Sequence, residues 1–114
     1  MGYNSSIRGS IEGISKDSFE LIKEDLEYVF DIVYLENGKL YLEGNGKHYD
    51  ANMFPAYDKI AFCIDGNCDG CLEEEGDEWL DYSFIFFCHR QWEKLWVEVN
   101  YPENPFDRSK TYAQ

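Results

Sequence analysis

Glu36-Asn37-Gly38-Lys39 restricts the fold more than any other four residues of this chain. Asn-Gly is the preferred centre of a type I′ turn, because both central residues need positive φ. A two-residue loop of that kind joins two antiparallel strands and sets their register. Glu36 must face Lys39, Leu35 must face Leu40, Tyr34 must face Tyr41, and Val33 must face Leu42. The pairs then sort by face. Val33, Leu35, Leu40 and Leu42 share one side, and Tyr34, Tyr41 and the Glu36/Lys39 pair share the other. Turn chemistry and hydrophobic alternation agree, so Ile32–Leu35 and Lys39–Glu43 are predicted to form a hairpin.

The flanking segments supply partners for it. Ile7, Gly9 and Ile11 alternate with Arg8, Ser10 and Glu12 over Ser6 to Gly13, the period of a half-buried strand. Asp17 is placed to cap a helix, and Glu20 completes a capping box three residues on. Phe19, Ile22, Leu26, Val29 and Phe30 then recur at helical spacing, which predicts a helix from about Ser18 to Phe30. Its opposite face carries Glu20, Glu24, Glu27 and Asp31. Beyond the hairpin, Asp50 can cap a second helix from about Asn52 to Ile64, with Pro55 tolerable only near its first turn. Ile60 to Ile64 also reads as a short strand. A short strand around Cys71 to Glu74 and an apolar one over Tyr82 to Cys88 follow. After a turn at about His89 to Glu93, Leu95, Val97, Val99 and Tyr101 alternate with polar residues. Pro102 and Pro105 end regular structure, and residues 107–114 read as a loose tail.

This order implies an α+β domain: a single mainly antiparallel sheet with two helices packed on one face. It is compatible with a ferredoxin-like core plus a C-terminal hairpin. Residues 1–106 read as one domain and 107–114 as a flexible tail. With 44% apolar and 18% aromatic residues, the chain is too rich in core-forming side chains to be an acidic disordered segment. No apolar run at the start suggests a signal peptide, and none approaches a membrane span, so a cytoplasmic protein is expected.

Charge narrows the partners. The chain has 23 acidic and 10 basic residues, a net charge of −13. Between Lys59 and Arg90 there is no lysine or arginine at all, and Glu73, Glu74, Glu75, Asp77, Glu78 and Asp81 fall inside that gap. Such a surface repels nucleic acid and anionic membranes and attracts a basic protein. On the first helix, carboxylates one turn apart are spaced by about 5.4 Å, which imitates a row of phosphates. In size and acidity the chain resembles the small inhibitors by which phages and mobile elements block host defence or DNA-handling proteins, a likeness of composition that rests on no motif. It implies a non-enzymatic inhibitor or adaptor, a DNA mimic that meets a basic, nucleic-acid-handling protein. The expected contact residues are Glu73, Glu74, Glu75, Asp77, Glu78 and Asp81, then Glu20, Glu24 and Glu27, with Trp79 and Trp96 as aromatic anchors. The apolar run Phe84 to Phe87 allows a homodimer. The competing explanation is that the charge only keeps an aromatic-rich protein in solution.

The cysteines offer an alternative. Cys63, Cys68, Cys71 and Cys88 suit a zinc site, with Cys68 and Cys71 as a Cys-x-x-Cys pair and His89 as a substitute ligand. That reading makes the chain a small metal-stabilised domain. Only one such pair is present, whereas a strong zinc pattern has two, and free cysteine is commonly a small buried hydrophobe. Asp65, Asn67, Asp69 and Gly70 begin a calcium loop, but Gly76 stands where its bidentate glutamate belongs. Neither His48 nor His89 lies in a catalytic motif, and no phosphate-binding glycine loop is present.

Overall fold

The computed structural model describes residues 4–76 and 81–97. Its elements run β1 Asn4–Glu12, α1 Lys16–Val29, β2 Ile32–Glu36, β3 Lys39–Lys47, α2 Asp50–Cys63, β4 Gly70–Gly76, β5 Tyr82–Cys88 and β6 Gln91–Trp96. The strands form one six-stranded sheet in the order β2-β3-β1-β4-β5-β6, and every pairing is antiparallel. The first four strands and both helices have the connectivity compatible with a ferredoxin-like core, and β5–β6 extends it as a hairpin.

The Asn37-Gly38 turn behaves as its chemistry requires. Both residues have positive φ, 53° and 76°, and the four predicted cross-strand pairs are all present. Tyr34 and Tyr41 stack with ring centroids 4.8 Å apart. The register then propagates. Ile7, Ile11, Leu40, Leu42, Leu72, Ile85 and Phe87 all lie on one face and are buried. Phe19, Ile22 and Leu26 of α1, and Met53, Ala56, Tyr57, Ile60 and Ala61 of α2, cover that face. Each large apolar side chain so buried contributes about 1.5–3 kcal/mol, which is what holds the helices on the sheet. The aromatic group Phe54, Tyr57, Phe87 and Trp92 ties α2 to β5 and β6. At the centre, a Cβ on Gly9 would collide with the carbonyl oxygen of Cys71, so glycine is what lets β4 close on β1.

Several local expectations are corrected. Ser15, not Asp17, caps α1: its hydroxyl accepts from the Ser18 backbone N–H at 3.1 Å. Asp17 sits inside the first turn, where a carboxylate still favours the positive end of the helix dipole. α2 begins at Asp50, so Pro55 lies in its second turn. The carbonyl of Ala51 thereby loses its helical donor, a loss that exposed Ala51 can make good with water. Ile60 to Ile64 is helix up to Cys63 rather than strand. The β5–β6 turn is tighter than expected, only His89-Arg90, with Arg90 at φ 63°. The expected pattern over Val99 and Tyr101, the stops at Pro102 and Pro105 and the tail 107–114 lie outside the described residues. Among the described residues no helix is long and apolar enough to cross a membrane.

Candidate protein-binding surface

The acidic residues occupy three physically different settings. The first is the outer face of α1. Glu20, Glu24 and Glu27 are exposed there, and among the described residues none forms an ion pair. Helical geometry puts Asp17, Leu21, Glu24 and Tyr28 on one row, at intervals of four, three and four residues. Leu21 is 81% exposed and Tyr28 92% exposed, the two most exposed large hydrophobics among the described residues. The apolar stripe buries the other side of α1, so nothing in the core accounts for these two. Beside Tyr28, α1, the β3–α2 connection and α2 line a groove of about 330 Å³, walled by Tyr28, Tyr49, Met53 and Ala56. The Lys59–Asp25 ion pair, 2.9 Å, stands at its edge.

The second setting is the sheet face away from the helices. Glu73 and Glu75 point from it, because β4 is an extended strand and successive side chains alternate. Arg8 stands opposite both Glu43 and Glu73 in the strand register. Tyr82, Phe84, Phe86 and Leu95 form an apolar band beside this charge, Phe86 and Leu95 nearly half exposed. Asp81 is partly buried just before β5.

The third setting overturns one expectation. Glu74 shares a strand with Glu73 and Glu75 but points to the helix side and is buried. One oxygen of its carboxylate meets Lys94 Nζ at 3.0 Å, and the other accepts from Ser5 Oγ at 3.0 Å. With its proton directed to Glu74, Ser5 Oγ accepts from His48 Nδ1–H at 2.7 Å. Lys94 also reaches Asp50 in the first turn of α2 at 3.4 Å and lies 4.8 Å over the Trp96 ring. The network thus joins β1, β4, β6 and the start of α2. Burial holds the His48 imidazole below its ordinary pKa; Lys94 adds to that, while Glu74 and Asp31 oppose it. Burial, with Glu74 and Asp50 nearby, pushes the Tyr57 phenol up, and among the described residues its hydroxyl has no hydrogen-bond partner. Glu74 is therefore a structural ion-pair partner and is not displayed to a partner protein.

The sequence-predicted sites are thus separated. Glu20, Glu24 and Glu27 lie on the helix layer, Glu73 and Glu75 on the opposite side of the sheet, and Glu74 between the layers. One flat partner cannot meet both exposed sets. Trp96 is 55% exposed, but it belongs to the helix side of β6 and not beside Glu73. Asp77, Glu78 and Trp79 lie outside the described residues. Leu21 and Tyr28 were missed by the sequence reading, although their seven-residue spacing among acidic residues was legible.

The cysteines do not assemble. Cys63 ends α2, and Cys68 packs beside Gly13. Cys71 and Cys88 point from the open sheet face on different strands. Among the described residues, no three His, Cys, Asp or Glu side chains stand close enough together to hold a metal ion. Burial raises the Cys63 and Cys71 thiols above their ordinary pKa, with Asp65 and Glu73 respectively adding to it, which disfavours thiolate chemistry. Comparison with known proteins finds no matching family model, no similar curated protein and no similar solved structure.

Proposed function

We propose that this chain is a small non-enzymatic binding protein, an inhibitor or adaptor that engages a basic protein surface. The row of exposed carboxylates Glu20, Glu24 and Glu27 on the outer face of α1, none in an ion pair among the described residues, is the observation that carries this reading. Lys16 and Lys23 share the helix, yet among the described residues neither forms an ion pair with these carboxylates, so their charge stays available to a partner. Spaced by the helical pitch, the carboxylates present negative charge much as a nucleic-acid backbone does, so a nucleic-acid-handling protein is the partner class that fits. Such complementarity acts mainly on the association rate and on rejecting wrong partners. The four free cysteines are consistent with a reducing compartment and support a cytoplasmic setting for this activity.

The test is capture on the immobilised chain, followed by identification of what is retained. A basic nucleic-acid-handling protein should be held at about 0.15 M salt and lost with Glu20→Lys, Glu24→Lys and Glu27→Lys combined. Retention that ignores this reversal would rule out α1 as the contact face.

A further inference from the structure

From the outer row of α1 we infer that Leu21 and Tyr28 are the apolar anchors of the interface, and that the partner is a basic protein whose contact surface holds an apolar cleft rimmed by lysine or arginine. The inference rests on the binding reading above and adds to it the residues that hold the complex together once charge has brought it into place.

Single exposed hydrophobics are ordinary on protein surfaces. These two differ in three respects. They are the most exposed large hydrophobics described, at 81% and 92%. They sit seven residues apart on one row of one helix, so both can enter a single cleft about 10 Å long. Acidic side chains surround them, with Asp17 and Glu24 in the same row and Glu20 and Glu27 beside it. A carboxylate border around apolar anchors is the usual interface order of a dry centre and a polar rim, and tyrosine is among the residues favoured at such centres. The groove beside Tyr28 offers a receptacle for a side chain from the partner.

Charge decides the occupant. A second copy would set Glu20, Glu24 and Glu27 against like charges. Nucleic acid and anionic membrane are repelled for the same reason. A cationic rim alone both satisfies the carboxylates and lets the anchors bury.

The experiment places the photo-crosslinker p-benzoylphenylalanine, in separate full-length chains, at position 28, at position 21 and at the exposed loop residue Asn67 as control, in the cells that naturally make the protein. Adducts are identified by mass spectrometry, and the purified adduct protein is titrated against wild type, Leu21→Ala/Tyr28→Ala, and Glu20→Gln/Glu24→Gln/Glu27→Gln. The expected result is one basic protein crosslinked from 21 and 28 but not from 67. The alanine pair should weaken it by about 100-fold, mainly through faster dissociation, with the salt dependence unchanged. The glutamine triple should slow association and flatten the salt dependence. Adducts only to a second copy, only to acidic proteins, or none at all would overturn the inference. Wild-type affinity in the alanine pair, with the glutamine triple impaired, would overturn the anchors and leave the charge reading standing. Indifference to both would overturn the two together.

Discussion

Glu74 and Glu24 are the same residue in opposite physical situations, and the contrast explains how this acidic chain folds without disowning its charge. Glu74 has been taken out of water, so it is held by a lysine, a serine and the histidine behind that serine. The Glu24 side chain is exposed to solvent and, among the described residues, has no ion-pair partner. A buried charge is costly unless paired, and its partners become structural. An exposed unpaired one costs little and remains available. The fold therefore uses one glutamate to lock β4, β1, β6 and α2 together and leaves the α1 row for whatever meets the molecule.

The contrast can be broken most severely at Glu74. Glu74→Ala leaves Lys94 almost buried with, among the described residues, only Asp50 as ion-pair partner and should cost about 3 kcal/mol in denaturant unfolding. Glu73→Ala, one residue away on the open face, should change stability by no more than about 0.5 kcal/mol. Equal losses at the two positions would mean that the strand alternation is misassigned. Glu74→Leu combined with Lys94→Met should recover most of the loss, because two apolar side chains replace a desolvated pair.

Next in size is Ser5. Ser5→Ala removes the donor to Glu74 and the acceptor for His48, and an unfolding midpoint corresponding to about 1–2 kcal/mol less stability is expected. Ser15→Ala at the α1 cap should cost about 1 kcal/mol, while Asp17→Ala should cost less. The reverse order would restore Asp17 as the cap.

A smaller effect follows pH. The folded state depresses the His48 pKa, so it favours the neutral ring. That contribution to stability is complete above the unfolded value of about 6.5 and is lost as pH falls through it toward the folded value. The melting temperature should drop on acidification from pH 7 to 5.5. In His48→Gln that drop should be shallower, and an unchanged slope would remove His48 from the account. Smallest of all, Glu20→Gln, Glu24→Gln and Glu27→Gln should each leave stability within about 0.5 kcal/mol.

How much of this the sequence disclosed depends on what each residue signals locally. The β2–β3 hairpin was legible to the last pair because a two-residue turn leaves no freedom of register. The core faces of β1 and α1 were legible from period alone. Cap choice was ambiguous, since Ser15 and Asp17 both favour the position and only geometry separates them. Glu74 was illegible for a stronger reason. A run of three glutamates reads as solvated surface, and only the register of β4, with Leu72 buried and Glu74 between Ile7 and Ser83, turns the middle one inward. Its rescuer, Lys94, is distant in sequence and sits on an edge strand. Leu21 and Tyr28 were overlooked because helical-period reasoning looks for the buried stripe and ignores apolar residues outside it.

The decisive measurement compares the two exposed acidic faces in one experiment. The association rate of the captured basic protein is followed by stopped flow against ionic strength for Glu20→Gln/Glu24→Gln/Glu27→Gln and for Glu73→Gln/Glu75→Gln. If recognition runs through α1, the first variant associates more slowly and loses salt dependence while the second matches wild type. A slowed β4 variant beside an unaltered α1 variant would place recognition on the open sheet face and contradict the account.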